Sequence, residues 1–126
     1  MTIQHLAHRS DWDAAPVSGE YRTSTRGRSL DDVGFIHASY PHQLAEVAEF
    51  VHAGDDAELV VLVVDEGRAR ADGVDVIDED GGNGELYPHI YGAIRPDWVI
   101  DIRPAWFDSE GAFHSSALPR PPFTRA

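Results

Sequence analysis

Seven histidines are the groups in this chain whose charge changes near neutral pH, and three of them differ from the rest in setting. His5 lies in Ile3-Gln4-His5-Leu6, His37 in Gly34-Phe35-Ile36-His37-Ala38-Ser39, and His89 in Pro88-His89-Ile90-Tyr91-Gly92. Each sits among apolar residues in a short extended stretch. For any one of them the plain alternative is a core histidine satisfied by backbone hydrogen bonds. Three in one small domain point instead to a shared cleft lined by His5, His37 and His89. His8, His42, His52 and His114 stand in polar or helix-surface settings and read as solvated.

Other chemistries find less support. Three histidines plus water would suit zinc, but these three lie far apart in sequence and form no short ligand pair of the kind zinc sites use. His5 and His8 would point to opposite faces of a strand. Ser39 shares a strand face with His37, yet no acid partner completes a nucleophilic triad; its plain role is a cap or turn before a helix. Tyr91 and Tyr40 could stack on a planar ligand or simply pack. The carboxylates of Asp78-Glu79-Asp80 read as a solvated loop.

The elements that must position these residues follow from periodicity. Ile3 to Leu6 opens as a strand. Ser10 reads as the N-cap of a short helix with Asp11 and Asp13 in its first turn. Pro16 lacks the N–H that would bond back to Trp12, and Gly19 offers a left-handed exit. Tyr21 to Asp32 reads as a polar loop carrying Arg22, Arg26 and Arg28. Gly34 to Ser39 is a strand, and Tyr40-Pro41 starts the main helix. Leu44, Val47, Ala48 and Val51 form its apolar stripe, Phe50 widens it, Glu46 and Glu49 lie opposite, and Gly54 ends it.

Leu59 to Val64 is apolar on both faces and too short for a typical helix, which predicts a central strand. Val74 to Ile77 reads as a weak edge strand and Gly81 to Gly84 as a flexible loop. The glycines there do not make a Rossmann fingerprint. Trp98 to Ile102 reads as a strand ending at Pro104.

Bulk properties bound the function. At 126 residues the chain makes one domain with a sufficient core. There is no cysteine, which removes disulfides, thiolate metal sites and cysteine nucleophiles. All ten basic residues are arginine, so neither a lysine Schiff base nor a P-loop lysine is available. The net charge of -12 disfavours nucleic acid as a partner and fits solubility. Half of that charge lies between Asp65 and Glu85, where eight acids face two arginines. No signal-peptide pattern or membrane-length apolar run appears, so a cytoplasmic location without membrane partners is the default expectation.

Taken in order, Ile3-Gln4-His5-Leu6, Trp12-Asp13-Ala14-Ala15, Ser18-Gly19-Glu20-Tyr21-Arg22, Gly34-Phe35-Ile36-His37-Ala38-Ser39 and Pro88-His89-Ile90-Tyr91-Gly92 resemble the small bacterial family called domain of unknown function 952. The resemblance covers about residues 1 to 103. It implies an α+β fold like that of the ADP-ribosyltransferases and the tRNA 2'-phosphotransferase, with a split, mostly antiparallel sheet around an NAD cleft. It implies that His5 contacts a ribose of NAD, while His37 and His89 line the cleft. Gln4, Ala38 and Tyr40 replace the family's usual tyrosine, cysteine and threonine. No glutamate stands where a transferase places one on a late strand; Asp101 and Glu85 are the nearest candidates, and neither fits. That carboxylate is the main electrostatic stabiliser of transfer to a protein side chain.

The expectation is therefore one ADP-ribosyltransferase-like α+β domain over residues 1–108, followed by a proline-containing, poorly ordered tail over 109–126. NAD or a related nucleotide is the expected ligand, held by His5, Arg22, His37, Ser39, His89 and Tyr91, with ADP-ribosyl transfer or NAD glycohydrolysis as the accompanying chemistry. Arg22 would offer its guanidinium fork to phosphate. The alternative is a non-catalytic interaction or regulatory module, with the acidic 65–85 segment docking on a basic partner.

Overall fold

The computed structural model describes residues 1–116. The chain runs through β1 (Thr2–His8), α1 (Arg9–Ser18), β2 (Thr23–Thr25), β3 (Arg28–Ser29), α2 (Leu30–Val33) and β4 (Ile36–His37). A 3-10 turn at Pro41–Gln43 leads into α3 (Leu44–Val51), then β5 (Leu59–Asp65), α4 (Glu66–Ala71), β6 (Val76–Asp80) and β7 (Leu86–Ile90). A second 3-10 turn at Pro96–Trp98 precedes β8 (Val99–Phe107) and β9 (Phe113–Ser115).

This is an α+β fold built on antiparallel pairing. One sheet has the order β1-β5-β8-β9, a second the order β4-β7-β6, and β2-β3 form a small hairpin. The two larger sheets meet where Gln4 and Ser39 exchange backbone hydrogen bonds of 2.8 and 2.7 Å, so the whole curls around that junction. β5 occupies an interior position, as its doubly apolar sequence requires. Val60, Leu62 and Val64 join Ile3, Ile36, Ile90 and Trp98 in one core. Leu59 and Val61, on the other face, pack with Leu44, Ala48 and Phe113 in a second.

Several local expectations are corrected. Ser10 is not the N-cap of α1. His8 takes that place without a side-chain bond, and the Arg9 N–H is satisfied by the Glu58 carbonyl at 2.8 Å. The helix carries Pro16 inside it and ends at Gly19, whose φ of 86° supplies the left-handed exit. The Tyr21–Asp32 stretch is structured: it holds β2, β3 and the start of α2, where Ser29 and Asp32 form a reciprocal capping box. Phe50 does not widen the buried face of α3. It is 87% exposed, because two residues beyond Ala48 turn it about 200° around the axis.

Pro104 does not end β8. It sits in the ladder opposite Val60, and its carbonyl accepts the Ser115 hydroxyl at 2.8 Å. Asp78-Glu79-Asp80 is not a loop but the body of β6, paired with β7. Residues 109–116, assigned from sequence to the tail, include β9, which pairs with β8; residues 117–126 of that expected tail lie outside the described residues. No helix among the described residues is long and apolar enough to cross a membrane.

Candidate functional site

The small sheet makes the site. Strand alternation turns Ile36, Val76, Pro88 and Ile90 into the core. The opposite face carries His37, Tyr87, His89 and Glu79, with Phe35 and Tyr91 just past the strand ends. His37 and His89 are direct cross-strand partners, their ring centres 5.3 Å apart. Phe35 stacks on His89 at 4.0 Å with the planes 11° apart, and meets His37 edge-on at 4.9 Å. These contacts fix both imidazoles against a hydrophobic plate.

The feature the sequence reading missed is Glu79. Its Oε1 accepts the His89 Nδ1–H at 2.8 Å and the Tyr91 hydroxyl at 2.5 Å. Hydrogen bonds from Tyr91 and then His89 hold the Glu79 carboxyl below the usual carboxylate range, so it is ionised at neutral pH. An ionised acceptor facing Nδ1 assigns a proton to that nitrogen, so the tautomer this contact selects carries its lone pair on Nε2. Partial desolvation, then the charges of His89 and Arg28, press the His37 imidazole below its ordinary value, which favours its neutral form. Two imidazoles thus stand side by side, one of them oriented by a carboxylate.

A cleft of about 490 Å³ opens beside them. Val47 and Phe50 of α3 form one wall, Tyr87, His89 and His37 the other, and the Gly81-Gly82-Asn83 turn part of the rim. Gly81 leaves room there for the Tyr87 ring: a β-carbon would stand 2.4 Å from it, so the ring would have to shift. A smaller cavity of about 260 Å³ shares His37, Ser39, Val47 and Val51 with the cleft and reaches His5 and His52.

The sequence-selected residues thus separate into groups. His37 and His89 come together, and Ser39 lines both cavities while its backbone holds the sheet junction. His5 is 3% exposed, and both its nitrogens are engaged: Nδ1–H donates to the His37 carbonyl at 2.5 Å, and Nε2 accepts the Tyr21 hydroxyl at 2.8 Å. Burial lowers its pKa to about 4, so it is a neutral clamp between the two sheets. Tyr91 stands beside the cleft, on Glu79. Arg22 lines neither cavity; Asp31 accepts from it at 2.8 Å and Glu20 at 3.4 Å. His8 and His52, read as solvated, instead share the carboxylate of Asp55, at 2.6 and 2.8 Å.

A hairpin reading would have found Glu79. Gly81 to Gly84 joins two strands whose register pairs Ile77 with His89 and Glu79 with Tyr87. That register makes Glu79 the diagonal neighbour of His89 on the same face, within reach of a long side chain.

Residues 6–102 match the family model described as protein of unknown function (DUF952), and the chain belongs to that family. The crystal structure of protein CC0527 from Caulobacter crescentus is similar at 27% identity, with 90% of this chain and 94% of that one covered and a TM-score of 0.76. The solution structure of the same protein matches at 28% identity over 88% and 90% of the two chains, with a TM-score of 0.67. No curated protein matches the chain.

Proposed function

We propose that the cleft binds NAD or a related nucleotide by its nucleoside end, in an ADP-ribosyltransferase-like arrangement. The observation that carries this reading is the His37–His89 pair, with His89 oriented by Glu79, at the wall of a cleft of about 490 Å³. That volume lies in the ordinary range of small-molecule sites. Phe50 and Tyr87 offer apolar surface to a planar base, and the imidazoles offer hydrogen bonds to ribose hydroxyls. The cleft lining includes Glu46 and no arginine among the described residues, so the phosphates extend toward solvent.

The chemistry this supports is glycosidic cleavage. Water attacks the anomeric carbon, the bond to the departing base breaks, and His89 Nε2 takes the proton released by the water. Glu79 acts through His89 as a positioning residue. It stands on a strand, but its partner is the imidazole and not the ribose, which departs from the transferase pattern.

Calorimetry and thermal shift with NAD, ADP-ribose, nicotinamide and a nucleoside test the reading. Saturable binding is expected, with the nucleoside retaining most of the affinity of the dinucleotide, and His37→Ala should abolish it in a protein that stays folded. Absence of binding by all four at millimolar concentration would end this proposal. A non-catalytic module is the second reading, favoured by the engagement of Arg22 with Asp31 away from the cleft. Ligand binding without turnover would support it.

A further inference from the structure

A second cluster of chemically capable side chains lies outside the nucleotide cleft. His8 ends β1, His52 caps the C-terminus of α3, and Asp55 lies in the loop that follows. Asp55 Oδ2 is 2.6 Å from His8 Nε2 and 2.8 Å from His52 Nδ1. The three ligand atoms all lie within 4.8 Å of one another. The Asp55 side chain is 5% exposed, and its second oxygen is occupied by the Ala57 N–H at 3.0 Å. We propose that His8 Nε2, His52 Nδ1 and Asp55 Oδ2 form a binding site for a first-row divalent transition metal of the zinc class.

The donor set argues for that class. Two imidazoles and one carboxylate suit zinc and its neighbours, whereas calcium and magnesium demand more oxygen ligands. Ligands at about 2.0–2.2 Å around a tetrahedral ion stand roughly 3.3–3.6 Å apart, so the nitrogen–oxygen gaps of 2.6 and 2.8 Å must open by about 0.5–1 Å, while the two nitrogens already lie within 4.8 Å of each other. The fold restrains the components: β1 is paired with β5, so the strand carrying His8 is held beside the loop carrying Asp55. Asp11 lies 3.9 Å from His8 Nδ1, too far for a hydrogen bond in this state but on the side where outer carboxylates stand behind metal-bound histidines. Three protein ligands leave a fourth position for water or another small ligand.

One group opposes the ion. Arg26 Nε lies 3.4 Å from Asp55 Oδ2, while its Nη1 donates to the carbonyls of Val51 and Ala53 at 3.3 and 3.1 Å. Those carbonyls at the end of α3 keep the guanidinium anchored when Asp55 turns to a metal. Its charge still lowers the affinity for a cation, and this yields a test that a purely structural cluster would fail.

The experiment titrates the purified full-length chain with Zn²⁺ by calorimetry and with Co²⁺ by visible absorption. One equivalent should bind in the micromolar range, with cobalt bands of a four-coordinate site and no competition from Mg²⁺. His8→Gln and Asp55→Asn should each weaken binding by at least the roughly 10–100-fold that loss of a mere outer-shell partner costs, and Arg26→Gln should strengthen it. Should Asp55→Asn fail to fold, His8→Gln carries the test, since the His8 side chain is 26% exposed and its loss leaves the core intact. Absence of zinc binding at millimolar concentration would overturn the assignment. So would binding unaffected by His8→Gln, or binding lost in His37→Ala, which would move the ion to the nucleotide cleft.

Discussion

Asp55 and Glu79 each hold imidazole nitrogens within 2.8 Å, in opposite surroundings. Asp55 is nearly enclosed, serves two histidines and has Arg26 beside it. Glu79 stands on an edge strand, 37% exposed, and serves one histidine and one tyrosine. Water competes for the Glu79 bonds and hardly for those of Asp55. The enclosed cluster therefore bears on stability, whereas the open one sets the tautomer and aim of a ring at little consequence for the fold.

The largest effect should come from Asp55→Ala. It strips two histidines of their acceptor and leaves Arg26 beside them, and loss of buried charge-assisted bonds should cost about 2–3 kcal/mol in urea unfolding. The parallel Glu79→Ala change should leave the unfolding midpoint unchanged within error. Equal losses from both would erase the distinction drawn between them.

Acid should sharpen the same contrast. Burial works to raise the Asp55 carboxyl, but hydrogen bonds from His8, His52 and the Ala57 N–H outweigh it and leave it well below its ordinary value. The stability it supplies is complete above the unfolded carboxylate pKa and lost as pH falls through the folded one. His5 acts in a higher window. Its pKa falls from 6.5 to about 4 on folding, so the unfolded chain takes up a proton between those values that the native chain refuses. Stability should decline by about 1.4 kcal/mol per pH unit as pH drops through that window. His5→Gln should flatten this slope in a denaturation series run from above pH 6.5 down to about 4.

A smaller effect belongs to Glu79→Gln, which keeps the size of the side chain and weakens the hold on His89. Nucleotide affinity should fall about tenfold, with the circular dichroism spectrum unchanged; full retained affinity would remove Glu79 from the site. The smallest is Phe50→Ser. Its ring is 87% exposed, so stability should move by less than about 0.5 kcal/mol, while ligand affinity drops if the ring packs on a bound base.

What could be read in advance follows from how local each signal was. The apolar run at Leu59–Val64 declared an interior strand because both faces needed cover, and the junction motif around His37 announced itself by composition. Pairing His37 with His89 was only an inference of shared neighbourhood, since register is a relation between strands. Glu79 was hidden by a rule that is usually sound: three consecutive acids prefer water. The pairing of β6 with β7 supplied the exception. Asp55 was hidden differently, because His8 looked solvated in its own segment and acquired its partner only when β1 paired with β5.

Gly81 carries no side chain, yet it decides how much room lies beside the two histidines. Any β-carbon there displaces the Tyr87 ring, which forms a wall of the cleft. A turn position on the rim thus controls the space beside the two imidazoles. Altering residue 81 is consequently a way to change which molecules enter while leaving His37, His89 and Glu79 as they are.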